Sequence, residues 1–345
     1  MEKLDPRKTE ILRAIVAHYV RSGEPVGSKT LVDRYSLEVS PATVRNEMGA
    51  LEEAGLIYQP HTSAGRVPTD AGYRMFVDAM ARTAKLPAAQ ARMVQRFFGE
   101  PRWELEEALR QTAALLSHLT DQAAVVFAPA LDRSVVRHVE LVGLSGDRAM
   151  VVIVSDTGRV ENHVIRIDEA ADDVQLSQTA EMLNKIIEGS LLESAASTIR
   201  SNIDKLPLEF RDTATAVSHA LDDELSGNEG ERVFLEGTST IVKEEKFHDL
   251  DTVRQVIGAL EHRRLVLEML AEGLASSGVS VRIGTENTVE EMQACAVVTA
   301  PYGAEGNAMG SLGVVGPTRM DYGKNIAAVY EVANQLGLML RELGV

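Results

Sequence analysis

The chain has 345 residues, enough for two or three domains with cores of their own, and its 45% hydrophobic and 25% charged content is ordinary for a globular protein. One cysteine, Cys295, excludes an internal disulfide and a cysteine-based zinc site. No run approaches the roughly 20 apolar residues of a membrane span, and the charged opening Met1 to Lys8 does not suit a signal peptide, so the expected compartment is the cytoplasm, with no membrane partner.

A net charge of −16 taken alone argues against nucleic acid as a partner. Its distribution partly reverses that inference: residues 1–85 hold 12 Lys and Arg against 11 Asp and Glu, whereas residues 86–345 hold 23 against 40. An acidic body behind a near-neutral head repels phosphate except at one face, which limits non-specific DNA binding.

Asp5 and Pro6 start a first helix with an inward stripe of Ile11, Leu12, Ile15, Val16 and Tyr19, ending near Gly23. Ser28 is expected to cap a second helix that turns Leu31, Val32 and Tyr35 inward. After the four residues Ser36 to Val39, Ser40 as N-cap and Pro41 at the first helical position open a third helix that runs to Gly55. This spacing reads as a helix-turn-helix. With Val44, Met48 and Leu51 facing the core, Ala42, Thr43, Arg45, Asn46 and Gly49 point away from it.

Those outward residues have base-reading chemistry. Arg can donate twice to guanine, Asn can pair with adenine's major-groove edge, and Ala or Thr methyls can touch a thymine methyl. They cluster at the helix N-terminus, the end that enters the groove, where Ser40 and the free N–H groups can also hold a phosphate. Helix 3 by itself equally fits a solvated face on a small three-helix domain. The hairpin that follows favours DNA: Leu56 to Tyr58 is strand-like, the cap from His61 to Arg66 has little apolar area, and Pro60 and Pro68 mark edge strands. A basic hairpin tip after a recognition helix is a wing, and Arg66 is expected at the DNA backbone or a minor groove. The candidate contacts to double-stranded DNA are Ser28, Lys29, Ser40, Ala42, Thr43, Arg45, Asn46, His61, Ser63 and Arg66.

The runs GEPVGSKTL (Gly23 to Leu31), SPATVRNEM (Ser40 to Met48), QPHTSAGRVPT (Gln59 to Thr69) and GYRMFVD (Gly72 to Asp78) resemble those of the HrcA family of bacterial heat-inducible transcription repressors. In the last run Tyr73, Phe76, Val77 and Met80 form the stripe of a fourth helix. Gly49 departs from the family, which usually has a small helix former there; glycine inside a helix costs about 1 kcal/mol relative to Ala.

Beyond a boundary at Lys85 to Ala89, Trp103 to Leu119 spaces Leu105, Leu109, Thr112, Leu116 and Leu119 as a packing seam. Packing within its own domain is expected, with a coiled-coil dimer contact as the alternative. From Gln122 the period becomes two, and Ala123–Phe127, Val135–Leu144, Ala149–Ser155 and Arg159–Ile167 read as an antiparallel meander, ended by the acidic run Asp168 to Asp173. Ser177–Asn202 and Leu208–Leu225 read as amphipathic helices, and Val233–Leu235 and Thr240–Val242 as short strands around Gly237. A helical pattern after Asp249 runs from Val253 to Leu270, followed by strands Val279–Ile283 and Ala294–Thr299. The final helix, Asn325 to Leu343, is expected to bury Ile326, Val329, Tyr330, Ala333, Leu336 and Leu340.

This order admits two α+β domains in series or a helical module inserted into one sheet. IGTEN (Ile283 to Asn287), MQACAVVTAPYG (Met292 to Gly303) and SLGVVGPTRMDYGKNI (Ser311 to Ile326) are similar to the C-terminal signature of HrcA repressors, and that resemblance favours insertion. It implies an α+β multidomain chain: a winged helix at 1–85, a GAF-like α+β domain at 86–169 and 255–345, and a dimerising α/β insertion at 170–254. It also implies a homodimer that binds the inverted-repeat CIRCE operator of chaperone operons, with the GroEL chaperonin as a partner that keeps the repressor active. The alternative is a small-molecule-gated winged-helix regulator that senses through the GAF-like domain.

No catalytic constellation emerges, so no enzyme, cofactor or metal is expected; the eight His residues form no HxxxH or HExxH pattern. Cys295 reads as a buried structural thiol, with a nucleophile as the alternative. Gly310, Gly313 and Gly316 read as a strand and tight turn, with a phosphate cradle as the alternative. Arg319, Asp321 and Tyr322 read as a helix-capping turn, or as a contact in a GAF-like pocket or between domains.

Overall fold

The computed structural model describes residues 4–62, 64–80, 85–99, 105–127, 135–144, 146–156, 160–167, 172–227, 233–241, 250–274, 276, 278–304 and 307–342. Helix α1 (Pro6–Ser22) begins where the Asp5 carboxylate accepts the Arg7 N–H at 3.1 Å, and ends at Gly23 in the left-handed region. Helices α2 (Ser28–Tyr35) and α3 (Pro41–Glu53) follow, and α3 stops before Gly55, also left-handed. Strands β1 (Ile57–Tyr58) and β2 (Val67–Pro68) pair antiparallel and form the wing. Helix α4 (Asp70–Met80) completes the head, and α5 (Ala88–Phe98) and α6 (Leu105–Thr120) lead into the body.

After β3 (Ala123–Phe127) the chain leaves the main sheet. Strands β4 (Val136–Gly143), β5 (Arg148–Ser155) and β6 (Val160–Arg166) make a three-stranded antiparallel sheet of their own. Helices α7 (Asp173–Ile187), α8 (Leu192–Asn202) and α9 (Leu208–Gly227) share its hydrophobic core. Strand β7 (Val233–Glu236) then returns to pair with β3. A helical turn α10 (Thr238–Ile241), helices α11 (Leu250–Glu261) and α12 (Arg263–Leu274), and strands β8 (Ser280–Ile283), β9 (Cys295–Ala304) and β10 (Asn307–Pro317) follow, ending in α13 (Tyr322–Glu342). The main sheet runs β7-β3-β10-β9-β8, antiparallel throughout.

The main sheet is the middle layer of three. Ala124, Val126, Ala296, Val298, Leu312 and Val314 face α6 and α13, and Ala123, Val125, Val297 and Val315 face α11 and α12. Both faces are covered, which is why its strands read as unbroken apolar runs. The first of these cores continues into the head through Tyr73, Phe76 and Val77 of α4, so head and body share one apolar interior.

Several expectations are corrected. The chain divides elsewhere than at 169/170 and 254/255: the meander is only β4–β6 and belongs with α7–α9, whereas Ala123–Phe127 lies in the main sheet. Alternation fits either sheet, and only strand pairing separates them. Ser177–Asn202 is split by Gly189, left-handed at φ 79°, and the acidic run supplies Asp172 as the cap of α7. Thr240 and Ile241 are helical, because Gly237 turns the chain at φ 75° and accepts the Thr240 hydroxyl at 2.6 Å; Val242 lies outside the described residues, as do Trp103 and Arg159. Tyr330 is exposed, on the solvent side of α13.

Candidate nucleic-acid interface

Three inward side chains fix the recognition helix. Val44, Met48 and Leu51 of α3 are buried in the head's core, which sets the rotation of the helix about its axis. At its start the Ser40 hydroxyl accepts the Thr43 N–H at 3.1 Å and lies 2.9 Å from the Thr43 hydroxyl. That rotation leaves Ala42, Arg45 and Asn46 exposed, with Thr43 and Gly49 half-buried. Among the described residues, the side chains of Arg45 and Asn46 make no hydrogen bond or ion pair within the chain. An Arg and an Asn left free on one helix face keep their full donor and acceptor capacity for base edges.

The wing is tied down from inside. Gln59 donates its side-chain amide to the carbonyls of Thr62 at 3.0 Å and Ala64 at 2.8 Å. Backbone bonds between Val26 and Arg66, at 3.0 and 2.9 Å, add the loop before α2 as a third edge. Gly65 allows that approach: a Cβ there would lie 2.4 Å from the Val26 carbonyl carbon. Arg66 is expected from the sequence at the DNA, but in the free protein its guanidinium pairs with Glu52 on the last turns of α3, at 2.8 and 3.0 Å. It braces the wing against the recognition helix, and Glu52 offsets its charge.

The other candidates are placed unevenly. Lys29 and His61 are exposed, Ser63 lies outside the described residues, and Ser28 is buried. Ser28 is not the cap of α2 either. Gly27 takes that position in an extended conformation and accepts the Leu31 N–H at 3.1 Å, which puts the Ser28 side chain one residue inside the helix.

A polar and aromatic clasp joins this reader to the body. Arg74 of α4 donates Nε to Glu286 at 2.8 Å and its second amine to Glu286 and the Val281 carbonyl, while Asp78 lies 3.3 Å from it on its own helix. One turn earlier, Asp70 accepts the Thr285 N–H at 3.1 Å. Gly284, left-handed at φ 56°, makes room for it, since a Cβ would stand 1.9 Å from the Asp70 carboxylate. The rings of Tyr73 and Tyr322 meet at 5.6 Å, and the Arg319 guanidinium stands 5.9 Å over the Tyr19 ring. Burial alone would raise the Glu286 carboxyl, but hydrogen bonds from Arg74 and the Ile283 N–H prevail and hold it below the usual range.

The polar knot at Arg319, Asp321 and Tyr322 therefore combines both readings: Asp321 caps α13 by accepting the Lys324 N–H at 3.0 Å, and its neighbours touch the head. The glycines of β10 serve packing. A Cβ on Gly313 would lie 2.5 Å from the Val298 carbonyl oxygen, and one on Gly316 would lie 1.9 Å from the Gln122 side chain. Cys295 is buried, and burial pushes its thiol up to about 12, which disfavours a thiolate nucleophile. Sequence reading missed Gln59, Glu52, Asp70 and Arg74. Asp70 and Arg74 are one helical turn apart on α4, but nothing local points to partners more than 200 residues away.

Residues 106–326 match the family described as HrcA protein C terminal domain. Residues 3–80 match the winged helix-turn-helix transcription repressor, HrcA DNA-binding family. The heat-inducible transcription repressor HrcA of Nocardia farcinica is 43% identical over 98% of this chain and 97% of its own length. That of Moorella thermoacetica is 38% identical over 99% of both. A crystal structure of a protein described as hypothetical shares the fold, with a TM-score of 0.71 at 24% identity over 99% of this chain and 100% of that one.

Proposed function

The chain belongs to the HrcA family of heat-inducible transcription repressors, and from that premise we propose that it binds an inverted-repeat operator of the CIRCE type as a dimer in the cytoplasm. The observation that carries the reading mode is the free Arg45 and Asn46 pair on the exposed face of α3, beside a wing held in place from inside. By the family likeness, the operator controls chaperone operons, and the GroEL chaperonin keeps the repressor active until heat draws it away. We propose DNA contacts through Lys29, Ser40, Ala42, Thr43, Arg45, Asn46 and His61, with Arg66 acting first as the wing's brace.

Dimerisation is assigned to the inserted unit. One face of its sheet covers the α7–α9 core, and the other carries Val142, Met150 and Val164 in one cross-strand row and Val154 and Val160 in another, with Val152 between them. Val160 and Val164 are 57% and 60% exposed. His138, Glu140 and Asn162 share that face, so it is a mixed surface of exposed valines and polar side chains, which suits a second copy of the chain and would place two reading heads on one duplex. The test is selection of bound sequences from random DNA with and without chaperonin. An inverted repeat should be enriched, more strongly with chaperonin; a pool without inverted repeats would overturn the proposal.

A further inference from the structure

We propose that the cavity between α1 and α2 of the head is a binding site for a phosphate group. It measures about 360 Å³ and is lined by His18, Arg21, Ser22, Arg34 and Tyr35. Two guanidinium groups line it, and none of the described lining residues carries a carboxylate. Arg21 is partly committed: Nε donates to the Ala17 carbonyl at 3.2 Å, and one amine donates to the Tyr35 hydroxyl at 2.9 Å. The Tyr35 hydroxyl accepts that bond and keeps its own proton to donate. Arg34 is exposed and, among the described residues, makes no hydrogen bond or ion pair.

His18 supplies the second observation. It is only 6% exposed and stands edge-on to Tyr35 at 6.2 Å, yet its ring nitrogens have no hydrogen-bond partner among the described residues. A mostly covered imidazole whose unpartnered nitrogens stay accessible at the cavity, beside two arginines and a phenol, completes a donor set that a phosphate's three or four oxygens satisfy together. Capping of the helix C-termini explains Arg21 but not Arg34, whose amines reach no carbonyl.

The groups around His18 are Arg21 and Ser22 on its own helix, Glu24 just beyond it, and Arg34 and Tyr35 on α2. Burial, then Arg34 and Arg21, lower the His18 pKa against a weaker opposing effect of Glu24. A bound anion would offset the arginines, so binding should draw a proton onto the imidazole. Two sources share this chemistry, a phosphate of the duplex backbone and a free phosphate species. The site itself does not depend on the operator reading.

The test uses the full chain with inorganic phosphate at constant ionic strength, following the His18 ring resonances by NMR and the heat of binding. Saturable binding with a raised His18 pKa is expected. R34Q should weaken it about tenfold, the worth of a charge-assisted hydrogen bond, while R13Q, the same charge change at an exposed position of α1, should leave it unaltered. If operator DNA displaces the phosphate, and R34Q weakens DNA binding, the occupant is a backbone phosphate. If phosphate stays bound beside DNA, the occupant is a free phosphate species. A His18 signal that neither phosphate nor DNA moves, or R13Q weakening binding as much as R34Q, overturns the proposal.

Discussion

Replacing Arg74 by Ala should loosen the head from the body without touching the recognition helix. The side chains of Arg74 and Glu286 are 23% and 34% exposed, so their ion pair is worth more than a surface pair and less than a buried one. Hydrogen bonds to charged groups contribute about 1.5–3 kcal/mol, and partial solvation reduces that, so a cycle of R74A, E286Q and the double variant should give a coupling of about 1–2 kcal/mol. R74A alone should cost about 2–4 kcal/mol, because it also leaves the Val281 carbonyl and the Glu286 carboxylate without their donor. Urea unfolding reads the cost, and amide exchange in α4 and β8 reads where it falls. The Glu286 pKa is depressed in the folded state, so its contribution is fully present above the unfolded carboxylate value and is lost as pH falls through the folded one. E286Q should therefore flatten the acid limb of the stability curve and leave the pH dependence near pH 7 as it is in the unaltered chain. A coupling indistinguishable from zero, or unchanged exchange in β8, would refute the clasp.

Three further outcomes follow from the same geometry. Gly49→Ala should stabilise the head by about 0.5–1 kcal/mol in thermal unfolding, since a Cβ there meets nothing within 4 Å and Ala is the better helix former. Arg45→Ala and Asn46→Ala should each relax base preference at one position by about 1–3 kcal/mol, measured by competition between operator variants, with folding unchanged. Val164→Glu, on the open face of the inserted sheet, should convert the proposed dimer to a monomer by light scattering while the unit stays folded, since residue 164 faces away from its core.

The head was legible because its signals are local. Ser40-Pro41, the Val44, Met48 and Leu51 stripe, and the glycines at 23 and 55 each fix a helix end or a helix face. The body was less so: Ala123–Phe127 and Ala149–Ser155 look alike in sequence, but Ala149–Ser155 pairs with the strands next to it in the chain, whereas Ala123–Phe127 pairs with strands more than 100 residues away. For the interface, residue type and periodicity exposed Arg45 and Asn46. They could not reveal that Glu52 claims Arg66 or that Gly27 displaces Ser28 from the cap. Ion pairs between elements are set by packing geometry, which composition does not encode.

The central claim is a paired reader in which each head contributes one α3. The most direct measurement is a binding titration of the full chain on a complete inverted repeat and on a single half-site, with stoichiometry read by analytical ultracentrifugation. The account predicts two chains per complete operator and an affinity at least about 100-fold higher than on the half-site, as expected for two linked contacts. Equal affinity on the two duplexes, with one chain bound to each, would contradict it.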